Sequence, residues 1–250
     1  MTRNATKAMI AIGLAVAAAL PVHAQTYKAG STPTGVPFTF FDTKTNSIQG
    51  AIVDLAQAIA KDQKVTIEIQ GMQFATLIPS LTSGKIDIIA AALGITPARK
   101  EVVDFTTPVY SYGEGLVVRA DDAKPYASLE ELKGEVVGVQ IGTVYEEPMR
   151  KTGLFKEIKV YDSLADAIRD VSVGRIKAAF GDFPIVAYQI SQGVHEGVRL
   201  VKNYKPIVNV DIGMAVRKGD KETLQKLNAS LAKLKANGTM DQIWAKWSLK

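Results

Sequence analysis

Short apolar runs alternate with amphipathic stretches of helical period along almost the whole chain, and this alternation narrows the fold more than any other feature. Strand-like runs read at 27–31, 65–69, 87–93, 116–119, 136–140, 159–161 and 177–180, and helical patterns at 51–61, 74–82, 164–173, 184–192, 221–236 and 239–247. Strands separated by helices need crossover connections that cover a mostly parallel sheet on both faces, so an α/β fold is expected. The 250 residues allow one domain or two. An internal echo favours two: "LTSGKIDIIAA" from Leu81 and "VSVGRIKAAFG" from Val171 each join a helix end to Gly, a basic residue, Ile and a small-residue apolar strand. Any helix-Gly-strand unit resembles another, because Gly is the usual residue just past a helix end. Here, however, each copy also leads through a polar turn to a Pro that can open a helix, Pro97 and Pro184. Two similar lobes would present strand ends and helix starts to a shared cleft, where open α/β sheets bind ligands.

The first 24 residues stand apart. Arg3 and Lys7 form a basic end, 9–20 an apolar run, and Val22-His23-Ala24 a small-residue cleavage site, the three parts of a secretory leader cut after Ala24. The run is shorter than the roughly 20 residues that cross a bilayer. Its loss leaves 28 basic and 25 acidic residues, a net charge of +3. Bases lie among acids, as at Lys85/Asp87 and Lys218/Asp220, which describes a solvated surface and no nucleic-acid stripe. With no Cys, thiol nucleophiles, thiolate metal sites and an N-terminal lipid anchor are excluded, and an exported chain must rest on its core alone. His23 leaves with the leader and His195 lies in the polar loop "SQGVHEGV", so His triads and His-rich zinc sites are excluded by inventory. Neither a cofactor nor a metal is expected.

One local conflict points to a ligand. Thr96-Pro97 is a strong helix start, yet Arg99 and Lys100 follow in the first turn, where the positive end of the helix dipole disfavours cations. A bound anion would resolve this; a salt bridge from Arg99 to Glu101 or Asp104 is the plainer alternative.

The stretches "PFTFFDTKTNSIQGAIVDLAQAIAK", "FATLIPSLTSGKIDIIAAALGITPARKEVVDFTTPVY", "LKGEVVGVQIGT" and "VGRIKAAFGDFPIVAY" follow in order along the mature chain. Together they resemble the periplasmic amino-acid-binding proteins of ABC importers, the family 3 solute-binding proteins. The resemblance implies a two-lobe Venus-flytrap α/β fold with a mixed, mostly parallel sheet in each lobe. Lobe 1 would hold 25–112 and 212–250, lobe 2 113–211, with crossings near 113–118 and 208–213. It also implies that Arg99 clamps an α-carboxylate together with backbone N–H groups of Gly94 and Val144, that Asp182 receives the α-ammonium, and that Phe74 lies against the ligand side chain. Ala92, Thr143, Thr32 and Tyr145 complete the expected lining. Other roles stay open from the residues themselves: a helix cap or turn for Asp182, core packing for Phe74.

Departures from the family pattern bear on the ligand. Ala91, Ala92 and Gly94 stand where many relatives carry Ser or Thr, which removes a hydroxyl acceptor for the ammonium and leaves more of that task to Asp182. Thr32 and Gly35 stand where members that bind basic amino acids place an acid and an aromatic. A buried cationic side chain without a counter-charge would cost several kcal/mol, so a neutral or aromatic amino acid is expected over a basic one. The resemblance further implies a monomeric periplasmic carrier that delivers its ligand to an inner-membrane ABC permease. Two alternatives are a cyclohexadienyl-dehydratase-like enzyme on the same scaffold, for which Asp182, Glu114, Lys and Tyr are the remaining acid–base groups, and the ligand-binding partner of a separate receptor.

Overall fold

In the computed structural model the described residues are 25–249, and the expected leader lies outside them. Strands β1 (Thr26–Ser31), β2 (Thr34–Gly35), β3 (Thr39–Asp42) and β4 (Ser47–Gln49) precede helix α1 (Ala51–Gln63). Next come β5 (Thr66–Gly71), α2 (Leu77–Thr82), β6 (Ile88–Ile89), α3 (Pro97–Val102) and β7 (Val103–Phe105). The middle of the chain forms β8 (Tyr110–Arg119), β9 (Val136–Gln140), α4 (Glu146–Thr152), β10 (Glu157–Tyr161), α5 (Leu164–Ser172), β11 (Ala178–Asp182), α6 (Phe183–Ser191), β12 (Val198–Leu200) and β13 (Asn209–Ile212). Strand β14 (Ala215–Arg217) and helices α7 (Lys221–Ala236) and α8 (Thr239–Lys246) complete it. No helix among the described residues is long and apolar enough to cross a membrane.

These strands form two principal sheets, in the orders β5-β1-β6-β14-β7 and β10-β9-β11-β8-β12, with β13 also on β8 and a small β2-β3-β4 sheet beside them. The chain builds most of the first sheet, passes into the second with β8, and returns through β13 to place β14 in the first. In the first sheet β1 pairs in parallel with β5 and β6, whereas β14 is antiparallel to β6 and β7. In the second, β9 is parallel to β10 and β11, and β8 is antiparallel to all its neighbours. In each sheet one strand, β14 in the first and β8 in the second, runs against the others, so the sheets are mixed and mostly parallel in direction, as expected.

The two crossings lie side by side: β13 pairs with β8 from Asn209↔Gly113 to Ile212↔Tyr110. The division drawn at 112/113 falls inside β8, which runs through the crossing into the second sheet without a break. Its first half, "YSYGEG", hides the strand because glycines interrupt the alternation. Both glycines are close approaches: a Cβ at Gly113 would sit 2.6 Å from Pro206, and one at Gly115 2.6 Å from Val186.

The sequence echo is structural. Gly84 and Gly174 follow α2 and α5 with φ of 76° and 74°, a left-handed conformation in which Gly carries no steric cost. After them Lys85 and Ile86 donate to Ser80 O, as Arg175 and Ile176 donate to Asp170 O. Ile86 and Ile176 are then buried under β6 and β11, which sit beside β1 and β9 in their respective sheets.

Glu114, on β8, is buried at 1 % exposure, and its carboxylate accepts from Tyr204 Oη (2.8 Å), Ile207 N (2.7 Å) and Val208 N (3.0 Å). It ties down the segment that feeds β13. Burial raises its pKa against the pull of these donors. Glu114→Ala would orphan a phenol and two backbone N–H groups, and should lower stability by about 2–4 kcal/mol in urea unfolding. An unchanged midpoint would mean that the carboxylate does not hold the segment.

Candidate functional site

The segment after β6 shows why the helix-start conflict is tolerated. Thr96 caps α3, its Oγ1 accepting from Arg99 N at 3.2 Å, with Pro97 at the first helical position. The Arg99 side chain turns away from Glu101 and Asp104 toward the gap between the sheets. There its guanidinium donates to Gly94 O (2.6 Å) and, across the gap, to Gly142 O (2.7 Å), and lies 5.8 Å from the centre of the Phe74 ring. Two carbonyl oxygens, and not a carboxylate, thus offset the charge, and burial pulls its pKa below the ordinary value. A guanidinium carries five N–H donors, so donors remain for an anion.

A cavity of about 650 Å³, counting the part open to solvent, lies between the two sheets at the C-terminal ends of β6 and β11. Arg99, Asp182, Phe74, Gly94, Ala92, Val144, Thr143, Thr32 and Tyr145 all line it, as does Gly35. The backbone N–H groups of Gly94 and Val144 take no part in the hydrogen bonds that fix the surrounding turns. The gap is closed: besides the Arg99 contact, Gln189 of α6 donates to Thr34 O at 3.1 Å, while its Oε1 lies 2.9 Å from His195 Nε2. Thr32 is buried and shares a 2.7 Å hydroxyl contact with Thr39. A Cβ on Gly35 would lie 3.5 Å from Ile185 of the opposite wall, so a larger residue would narrow the cavity.

Asp182 ends β11 and occupies the cap position of α6, yet its side chain makes no cap hydrogen bond. Its carboxylate turns toward the cavity instead. Oδ2 accepts from Tyr112 Oη at 2.7 Å, and Oδ1 accepts a short hydrogen bond from Tyr145 Oη. Burial raises the Asp182 pKa, opposed by the two phenol donors and by Arg99, and burial with the neighbouring carboxylate pushes both phenols well above the usual range. Arg99 and Asp182 each feel the other's charge, and among the described residues they are the only charged side chains on the cavity wall.

Tyr112 was not anticipated. It shares a strand face with Tyr110, and the signal was the alternation "YSY", readable only once β8 is extended back through its glycines. Leu164, Phe180, Ile185 and Val210 also line the cavity, and all four are buried, so its apolar wall is core that reaches the cleft. Glu114 does not line it, and it is committed to the 204–208 segment.

Residues 27–250 match the family model for bacterial extracellular solute-binding proteins, family 3. A putative ABC transporter arginine-binding protein 2 of Escherichia coli (strain K12) is 33% identical over 232 residues, which cover 91% of this chain and 92% of that protein. Among solved structures, an ancestral arginine-binding protein bound to glutamine is 36% identical with a TM-score of 0.82, covering 90% of this chain and 98% of that one. The ancestral amino acid-binding protein AncCDT-1, described as a precursor of cyclohexadienyl dehydratase, is 32% identical with a TM-score of 0.80, covering 89% and 95%. A two-lobe α/β architecture, a cavity walled by both sheets and a match over nearly the whole described chain agree: the protein belongs to family 3 of the bacterial extracellular solute-binding proteins.

Proposed function

We propose that this protein captures an amino acid with an uncharged side chain between its lobes, in the periplasm, and hands it to an ABC permease. The observation that carries the reading is the charge inventory of the cavity: one guanidinium from the first lobe, one carboxylate from the second, and no other charge on the wall. An α-carboxylate on Arg99 and the free N–H groups, with an α-ammonium on Asp182, would neutralise both. Arg99 offers the planar fork that suits a carboxylate. A ligand touching both lobes favours the closed form, because only there are both contacts made.

The preference for an uncharged side chain is inferred from this protein's own cavity lining and not from its relatives. The Escherichia coli relative is named for arginine, which lends no support to a neutral ligand, while the glutamine-bound ancestral protein supports the capacity of this scaffold to hold an uncharged side chain. Here a ligand guanidinium would meet Thr32, Gly35 and apolar side chains, with no carboxylate beyond Asp182. Lobe boundaries at 112/113 and 211/212 fit this clamp, since the paired crossings then act as the hinge.

Binding is favoured over catalysis by the commitment of the acid–base groups. Both Asp182 oxygens accept from phenols and Glu114 is spent on the 204–208 segment. Incubation with prephenate or arogenate should release no aromatic product; its formation would favour the enzymatic reading that the dehydratase precursor raises.

The ligand class is tested by thermal shift on refolded protein against L-glutamine, L-leucine, L-phenylalanine, L-arginine and L-lysine. A ligand at about 100 times its Kd stabilises the native state by about 2.7 kcal/mol, so the neutral members should raise the melting point and the basic ones should not. A larger shift with L-arginine would overturn the side-chain assignment. Arg99→Ala should weaken binding of any amino acid that shifts the wild type by about 100-fold or more, in line with loss of a charge-assisted bidentate contact, with little change in the urea midpoint. Wild-type affinity in that variant would sink the clamp.

A further inference from the structure

The zwitterion reading needs the Asp182 carboxylate but gives no role to the two tyrosines that hold it. Tyr112 reaches Oδ2 from β8, the strand that crosses between the lobes, and Tyr145 reaches Oδ1 from the turn ahead of α4. Both are buried, Tyr145 completely, and each places its single donor on Asp182. The Tyr112 hydroxyl also lies 3.5 Å from Ala92 O, on the turn after β6. An Asp at a helix start has a ready local use for its carboxylate, as acceptor for the first free N–H groups, and α6 goes without it. Two phenols from two separate elements therefore hold the group away from its own helix and toward the cavity.

We propose that Tyr112 and Tyr145 are positioning residues that act through Asp182, fixing the orientation in which its carboxylate meets the ligand's amine. This rests on the reading that Asp182 receives the ammonium. Each carboxylate oxygen has about two acceptor directions; one on each is taken by a phenol, and the remaining pair is left for the ligand. Such an acceptor suits an amine that donates two N–H groups from one side. It disfavours α-keto and α-hydroxy acids, which present a carbonyl or one hydroxyl to the same carboxylate. Arg99, Tyr112 and Tyr145 are the ionisable groups that act on Asp182, so the removal of either phenol leaves the others as reference.

The experiment combines Tyr112→Phe, Tyr145→Phe and Asp182→Asn, singly and in pairs; Phe keeps the ring and removes only the hydroxyl. The first readout needs no ligand. Carbon-13 NMR follows the Asp182 carboxyl through a pH titration, its signal assigned by its absence in Asp182→Asn. Loss of a donor to the charged form should raise its apparent pKa by about half a unit or more in each Phe variant; an unmoved titration in both would overturn the proposal. The second readout is calorimetric affinity for L-glutamine, L-leucine and L-phenylalanine. Each Phe change should weaken binding about fivefold or more with Asp182 present, and by less than about twofold in the Asp182→Asn background, since coupled residues are non-additive. Equal losses in both backgrounds would show a structural role and refute the assignment. If Asp182→Asn binds as tightly as wild type, the ammonium reading fails and the proposal fails with it. A defective Asp182→Asn beside Phe variants that bind like wild type would refute the positioning role and leave the ammonium reading standing, which keeps the two failures apart.

Discussion

The antiparallel pairing of β13 with the first residues of β8 is the constraint on which the molecule depends. It brings the outgoing and returning chain together as one ribbon, so the two sheets are joined by a narrow double crossing instead of a broad interface. A ribbon of this kind permits rotation of one lobe against the other more readily than sliding. Its fixed side is anchored by Glu114, which clasps 204–208 just before β13 begins. The same β8 strand carries Tyr112 at the crossing and Glu114 two residues later. One segment thereby sets the hinge, supports it, and contributes to the cavity.

The cavity is a problem in charge as much as in shape. Arg99 and Asp182 are both drawn out of water, and each is offset by neutral polar partners: two carbonyl oxygens for the guanidinium, two phenols for the carboxylate. Neutral partners reduce the desolvation cost without cancelling the charge, so the proposed zwitterion would still gain by entering. A direct Arg99–Asp182 ion pair would have closed the site to ligand at the cost of the ligand's own contacts. The carbonyl of Gly142 lies on the far side of the gap, so the Arg99 side chain also bridges the two sheets directly.

Much of this was legible from residues alone, and the reasons are particular. The Gly-basic-Ile echo is readable because left-handed Gly84 and Gly174 are required after a helix, and it marked equivalent strands in both sheets. Thr96-Pro97 announced α3, and the cation in its first turn marked Arg99 as a side chain to follow, which the structure turns into the cavity. What escaped was mostly antiparallel and short: β2, β3, β7, β12, β13 and β14 span two to four residues each, too few for a period to register. The run 87–93 read as one strand, but only Ile88–Ile89 pairs as one, because beyond it the chain bends away to build the turn that lines the cavity. Helix α4 was missed since "EEPMRKT" buries only Met149 and so lacks an apolar stripe. Side-chain partners are harder still: nothing local in the sequence says that a tyrosine at 112 and another at 145 converge on residue 182.

That convergence gives the Ala91-Ala92-Gly94 departure a physical sense. A turn with serines would place hydroxyl acceptors beside an ammonium in the first lobe; this chain has methyl groups and a hydrogen there. Its hydroxyls instead stand behind Asp182, where they act as donors to the carboxylate and not as acceptors for the ligand. If the ligand amine meets Asp182 as proposed, acceptor strength is concentrated on one group held from behind by two phenols, and the first-lobe turn is left to the carboxylate end through its backbone. Separating the two ends in this way frees the remaining wall of Phe74, Val144, Ile185 and Val210 to be apolar. On the proposed reading, selectivity among side chains would rest on the shape of that wall and on the space left by Gly35, and selectivity for an α-amino acid on Arg99 and Asp182.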